Sequence, residues 1–319
     1  MKIVILERNS VGTDIDVSCY EKLGEVTVYG NTVEKQVAER VRDAEVIISN
    51  KVSMNEETLK DAPLVKQICL FSTGYDCVDL AYCRSRGIRV SNVADYCTDA
   101  VSQHTFAMAF YLLEHLRHYD DYVKSGTYGA QDRFSNFDLP FTELSGKTWG
   151  IVGMGHIGQK VAGIAKAFGC RVIFYSASGK STCKDYPQVD FDTLLAQSDF
   201  LSLHCPLSER TKNLIDKEAL QKMKKTAILL NVARGAVINN ADLYWALQNE
   251  EIAAAGLDVL EKEPISSDNL LGRIQDSNRL LITPHMAWAS TEARTRIVQE
   301  VFWNIEAYLR GEERNLISG

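Results

Sequence analysis

Short apolar runs alternate with stretches of helical periodicity along almost the whole chain. The first series of runs is Lys2–Leu6, Glu45–Ser49, Gln67–Phe71 and Ile88–Ser91. Each is about the length of one strand and rich in Val, Ile and Leu, which predicts strands buried in a parallel sheet. Between them Val33–Val41 and Asp79–Arg86 carry helical spacing. A second series runs through Thr148–Val152, Arg171–Tyr175, Phe200–His204, Ala227–Asn231, Ala253–Asp258 and Leu280–Thr283. Strand and helix in alternation predict an α/β architecture with largely parallel sheets. The first series alone fills roughly a hundred residues, a typical domain size. No low-complexity segment, short repeat or Ser/Gly-rich linker separates it from the second.

Between the two series lies Asp99–Ser125, which reads as one long helical stretch without Gly or Pro. Its segment Phe106–Leu113 is apolar nearly all round, so it should be buried on several sides. A position between domains, a second subunit or an ordinary core would each satisfy that pattern. The last helical stretch, Ser290–Leu309, would lead the chain back to the first domain. Residues 1–98 with 289–319 then form one domain, the substrate-binding one. Residues 99–288 form another, inserted into it, with the substrate held in the cleft between.

Composition narrows the function. At 319 residues with 45% hydrophobic content, the chain can fill two cores. A net charge of −7 argues against nucleic acid or an anionic membrane as the main partner. No run approaches bilayer length, and Met1–Glu7 reads as a first strand instead of a secretion signal. A soluble, cytoplasmic protein is expected. Eight cysteines are present but no Cys-x-x-Cys pair, so buried free thiols are expected and no metal site. His115 and His118 read as helix-surface residues.

The strand Thr148–Val152 is followed by Gly153-Met-Gly155-His156-Ile157-Gly158 and then by the helical run Lys160–Phe168. Gly-x-Gly-x-x-Gly between a strand and a helix is the setting in which backbone approaches a dinucleotide diphosphate, held at the helix N-terminus. The fold class expected is therefore two Rossmann-like or flavodoxin-like domains, the nucleotide-binding one inserted into the other. The end of the second strand usually carries an acid for the adenosine ribose. Here Ser176 stands in that place, followed by Ser178, Gly179 and Lys180. Two hydroxyls and a lysine suit a 2′-phosphate, so NADP is favoured over NAD.

Three further stretches follow strand-like runs: Asn231-Val232-Ala233-Arg234-Gly235, Leu257–Pro264 with Glu263, and Pro284–Ser290 with His285. An Arg, an acid and a His beyond strand ends suit hydride chemistry on a small carboxylated carbonyl compound. Together with Ser72–Asp79, Gly153–Gly158 and His204–Leu207, these ordered motifs resemble the D-isomer-specific 2-hydroxyacid dehydrogenases over nearly the whole chain. Tyr96–Thr105 and Pro284–Ser290 look most like its glycerate dehydrogenase (hydroxypyruvate reductase) branch.

The resemblance implies that His285 is the general acid and base, paired with Glu263. It implies that Arg234 grips the substrate carboxylate, with the backbone amides of Thr73 and Gly74 completing that site. Asp258 is similar to the acid that orients the nicotinamide carboxamide. His204, Pro206 and Thr211 correspond to a loop along the cofactor, and Val232, Ala233, Arg234 and His285 are expected beside it. Phe71 and Ser72 depart from the smaller residues usual in that loop, and Trp288 is placed to wall the substrate side chain. The leading expectation is NADPH-dependent reduction of hydroxypyruvate or glyoxylate to the D-hydroxy acid by a homodimer joined through the apolar 100–130 region. A bulkier 2-oxo acid is the rival within the class, and a dinucleotide-sensing corepressor-like protein is the rival outside it.

Overall fold

The computed structural model describes residues 1–317 and divides into two units: Met1–Cys97 with Ala289–Gly319, and Thr98–Trp288. Unit 1 runs β1 (Lys2–Ile5), β2 (Glu25–Val28), α1 (Glu34–Val41), β3 (Val46–Ser49), α2 (Glu56–Leu59), β4 (Gln67–Leu70), α3 (Leu80–Ser85) and β5 (Arg89–Ser91). Its five strands are all parallel, in the order β2-β1-β3-β4-β5. The strands β3 and β4 are buried at every position, as expected for central strands covered on both faces. The edge strand β2 is half-exposed, and its mixed Glu-Val-Thr-Val composition gave no apolar run to read.

Unit 2 opens with α4 (Thr98–Leu113), α5 (Leu116–Lys124) and α6 (Thr127–Ala130). There follow β6 (Thr148–Val152), α7 (His156–Ala167), β7 (Arg171–Tyr175), α8 (Phe191–Gln197), β8 (Phe200–Leu203), α9 (Lys217–Lys222), β9 (Ile228–Asn231), α10 (Asn240–Gln248), β10 (Ala254–Leu257) and β11 (Leu280–Ile282). The six strands are parallel, in the order β11-β10-β9-β8-β6-β7. One parallel bridge, Phe174 to Gln188, extends the β7 edge and brings the order close to that of dinucleotide-binding sheets. The α/β architecture with parallel sheets predicted from the alternation is present. The final helix, α11 (Thr291–Leu309), packs on β4 of unit 1, where the Asn304 side chain donates to the Asn92 carbonyl at 2.9 Å.

The expected single helix over Asp99–Ser125 is a correction. It breaks at His115, whose φ of 52° is left-handed, a conformation that ends helices. The cause is a change of environment. The apolar residues of α4, among them Phe106, Met108, Ala109 and Leu112, are buried in the core of unit 2, with Phe106 stacked 4.6 Å from Trp149. No residue of α5 is buried. His115 and His118 are half-buried instead of lying on the surface. The eight cysteines are all free thiols, and Cys69, Cys83, Cys170 and Cys205 are buried. Burial pushes the Cys69 thiol up to about 12.

Candidate active site

Asn231, the last residue of β9, is fully buried and shapes the turn that carries Arg234. Its Oδ1 accepts from the Ala233 amide at 3.0 Å, and its Nδ2 donates to the Arg234 carbonyl at 2.9 Å. Arg234 itself is half-buried and extended, with Nη1 donating to the Ala233 carbonyl at 2.8 Å. Gly235 explains why the turn fits. A Cβ there would lie 1.8 Å from the Leu260 carbonyl carbon, so only glycine lets this turn nest on the loop after β10.

That loop carries Glu263, whose two oxygens have separate tasks. Oε1 accepts from the Leu260 amide at 2.9 Å, and Oε2 lies 2.6 Å from His285 Nδ1. A carboxylate only accepts, so Nδ1 carries the hydrogen of this bond. His285 follows β11 and has a φ of 52°, left-handed backbone in a residue with a Cβ. The His285 and Glu263 side chains keep 25% and 33% exposure, so the pair can be reached by a small molecule. Trp288 stands beside them, its Nε1 donating to the His285 carbonyl at 3.0 Å.

Asp258, which the resemblance assigns to the nicotinamide carboxamide, is 1% exposed, and both its oxygens are engaged by the His285 loop. Oδ1 accepts from the Thr283 hydroxyl at 2.6 Å and the Met286 amide at 2.8 Å, and Oδ2 from the Ala287 amide at 2.8 Å. The carboxylate therefore holds protein backbone. Its carbonyl does the same, accepting from the His285 amide at 2.8 Å.

On the same carboxyl edge of the sheet, the glycine-rich turn sits between β6 and α7. Gly153 has a φ of 92°, and a Cβ on it would lie 2.8 Å from the Cys205 amide nitrogen. The turn can thus only close against the His204–Cys205 backbone with glycine in place. The last glycine, Gly158, lies inside α7, which starts at His156 and Ile157 and not near Lys160. Gly155 is the N-cap, with no side-chain cap and no acid in the first turn. A side chain at Gly155 would meet open space within 4 Å. An uncapped helix start with clear space above it fits a dinucleotide diphosphate.

The rest of the predicted cofactor residues lie around this edge. Burial pushes His204 down to about 3, which keeps its ring neutral, and neither ring nitrogen has a partner among the described residues. Thr211 is 2% exposed, with its hydroxyl donating to the Pro206 carbonyl at 2.7 Å. It shapes the loop after β8. Ser176 and Ser178 place their hydroxyls 3.4 Å apart just past β7, and the Lys180 amide donates to Ser178 Oγ at 3.2 Å.

Thr73 and Gly74 lie in unit 1, in the loop after β4. Three carbonyls of this loop are engaged: Ser72 by the Val93 amide at 3.0 Å, Thr73 by Asn92 Nδ2 at 2.7 Å and Gly74 by the Ser72 hydroxyl at 2.6 Å. Phe71 is 1% exposed and packs near Tyr20, so its bulk goes to the core of the unit. Among the described residues no group of three or more His, Cys, Asp or Glu is placed to hold a metal ion. Nor is any helix among them long and apolar enough to cross a membrane.

Sequence reasoning missed three residues that build the site: Asn231, Thr283 and His104. Asn231 had a signal, a buried amide at a strand end before a turn. The other two are joined only by the fold, His104 Nε2 lying 3.0 Å from the Thr283 hydroxyl across 179 residues of chain.

The family model described as D-isomer specific 2-hydroxyacid dehydrogenase, NAD binding domain, matches residues 106–287. The chain belongs to that family. Hydroxypyruvate reductase of Blautia hydrogenotrophica is 36% identical, covering 100% of both chains. Glycerate dehydrogenase of Methylorubrum extorquens is 36% identical, covering 99% of this chain and 98% of its own. Among solved structures, an acyclic imino acid reductase (Bsp5) in complex with NADPH and D-Arg has a TM-score of 0.88 at 31% identity, covering 99% and 100% of the two chains. The protein is thus an oxidoreductase of the 2-hydroxyacid dehydrogenase class, with two parallel α/β sheets as its family predicts.

Proposed function

We propose that this dehydrogenase reduces a small 2-oxo acid, hydroxypyruvate or glyoxylate, to the D-2-hydroxy acid, with NADPH the favoured reductant. The reading rests on the 2.6 Å contact between His285 Nδ1 and Glu263 Oε2. The names of the relatives support the substrate class. A bound reduced nicotinamide would supply the hydride. Glu263 holds Nδ1–H, so Nε2 of His285 is the atom that gives a proton to the 2-oxo oxygen and takes it back in the reverse direction. Arg234 grips the substrate carboxylate through its fork of donors. The Thr73 and Gly74 amides are further donors to an oxyanion, and Trp288 walls the substrate side chain.

For the cofactor, the uncapped start of α7 at Gly155 takes the diphosphate. The Ser176–Lys180 loop takes the 2′-phosphate, since its hydroxyls and lysine carry no carboxylate to repel one. A second reading, the same chemistry on a bulkier substrate, is favoured by the similar reductase whose structure holds D-Arg. We also propose a homodimer. Its surface would be the 100–130 region, where Leu116 and Val123 of α5 and Tyr128 of α6 are exposed, continued by Phe134, Phe137 and Phe141. Sedimentation as a monomer at micromolar concentration would refute the dimer.

The test of function is nicotinamide oxidation with a panel of 2-oxo acids, each run with NADPH and with NADH. Rapid turnover of hydroxypyruvate or glyoxylate with NADPH is expected, and turnover of bulky 2-oxo acids alone selects the second reading. His285→Ala should lower turnover by about 1,000-fold and leave cofactor binding intact. Wild-type turnover in that variant would exclude His285 as the acid.

A further inference from the structure

We infer that His104, acting through Thr283, is a positioning residue for the His285 loop. The inference rests on the reading of His285 as the proton donor. It begins from the backbone of His285, which holds a left-handed φ of 52°. That conformation is unfavourable for a residue with a Cβ and persists only where the surroundings over-determine it.

Asp258 supplies that determination. Its carboxylate binds the amides of Met286 and Ala287, the two residues after His285, and its carbonyl binds the His285 amide. The loop's geometry is therefore only as definite as the orientation of one buried carboxylate. Oδ1 is fixed in turn by the Thr283 hydroxyl at 2.6 Å. A threonine hydroxyl has one hydrogen, and a carboxylate can only accept, so that hydrogen lies on the Asp258 bond.

The same hydroxyl lies 3.0 Å from His104 Nε2, and it has only lone pairs left to offer. His104 must therefore donate, which assigns the ring a hydrogen on Nε2. The result is a directed chain, from His104 Nε2–H to Thr283 Oγ–H to Asp258 Oδ1. His104 also lies 3.6 Å from Asp258 Oδ1 itself. It is anchored from the middle of α4, which packs on β9, β10 and β11. The helix thus ties a directional clamp on a buried carboxylate to the loop that carries the catalytic histidine.

Paired variants test this on the full-length protein. His104→Leu and Thr283→Val should each lower kcat by about 10-fold, the usual scale for one hydrogen bond to a buried charge. KM and the cofactor Kd should stay within about 2-fold of wild type, because neither residue is assigned a ligand contact. His104→Gln and Thr283→Ser keep a donor and a hydroxyl and should recover most of the loss. The double variant His104→Leu/Thr283→Val should be no worse than the poorer single one, since both break the same chain.

Conservative variants as poor as the disruptive ones, or multiplying losses in the double variant, overturn the inference. If a disruptive variant does not fold, the wild-type tautomer decides. Nitrogen-edited NMR should show His104 protonated on Nε2, and a ring protonated on Nδ1 alone sinks the proposal. His285→Ala run beside them separates the two readings. A dead His285→Ala with wild-type His104 and Thr283 variants removes only this inference, whereas an active His285→Ala removes the proton-donor reading itself.

Discussion

The two units begin their sheets in the same way and finish them differently. In unit 1 the first strand, β1, lies between β2 and β3, and in unit 2 the first strand, β6, lies between β7 and β8. At the entrance to each first strand an acid sits immediately before the unit's third strand. Glu45 Oε1 accepts from the Lys2 amide at 3.0 Å, and Asp199 Oδ2 accepts from the Thr148 amide at 2.8 Å. At the exit the likeness ends. In unit 1 the chain leaves β1 with Glu7, whose Oε2 accepts from the Ser49 hydroxyl and from the amides of Asn50, Lys51 and Val52. In unit 2 it leaves β6 with Gly153, and the backbone of the loop after β8 closes directly on that glycine.

Both exits are switch points of a parallel sheet, where backbone amides gather and anions bind. Unit 1 satisfies its amides with a carboxylate of its own. Unit 2 removes the side chains and leaves the start of α7 clear. The same topology therefore serves as a closed structural joint in one unit and as a ligand site in the other, and one or two residues decide which.

Converting the second into the first should have the largest effect. Gly155→Asp would place a carboxylate at the N-cap of α7, in extended backbone that any residue adopts and in open space. As an N-cap it should stabilise the helix by about 1 kcal/mol. As an anion it should repel the diphosphate, and we expect cofactor affinity to fall by about 100-fold, with Tm unchanged or raised. Fluorescence titration with NADPH and a thermal melt read both. Unchanged affinity would remove the start of α7 from the cofactor site.

The reverse change in unit 1 should act on stability alone. Glu7→Ala leaves the amides of Asn50, Lys51 and Val52 without their acceptor, a loss of roughly 2 kcal/mol. The urea midpoint should fall while the cofactor Kd stays within about 2-fold. A wild-type midpoint would mean that solvent satisfies those amides, and that the joint is not closed.

Most of the frame was legible because it depends on local pattern. The strands β3, β4, β6, β8 and β9 are buried throughout, so their apolar runs announced them. The glycine-rich turn was legible for the same reason, being contiguous in sequence. What escaped lay at edges and across distance. β2 is half-exposed, so its alternating residues carry no run. The break at His115 follows from where α4 finds a core and α5 does not, which a helical periodicity of apolar residues does not record. Arg234, Glu263 and His285 were readable as motifs. That Asp258 grips the His285 loop was not, because its partners come from the far side of β11.

The shared entrance acid offers the finest test, because here the two units should behave alike. Asp199 is the clearer case. Burial pushes its carboxyl up, but Lys224 Nζ at 2.8 Å and the Thr148 amide outweigh that and leave it lowered from 3.8. A carboxyl lowered by folding adds stability above its unfolded value, and the gain is lost as pH falls through the folded one. Asp199→Asn should therefore lower Tm at pH 7 by about 2 °C, a small effect because Lys224 is partly exposed and screened. The gap between variant and wild type should hold from neutral pH down to about pH 4 and close below it. Raising the salt should shrink the Lys224 part and spare the bond to the strand amide. A gap that stays constant to the acid limit would mean that Asp199 works through its shape and not its charge, and the entrance would then be as much a matter of packing as the exit at Gly153.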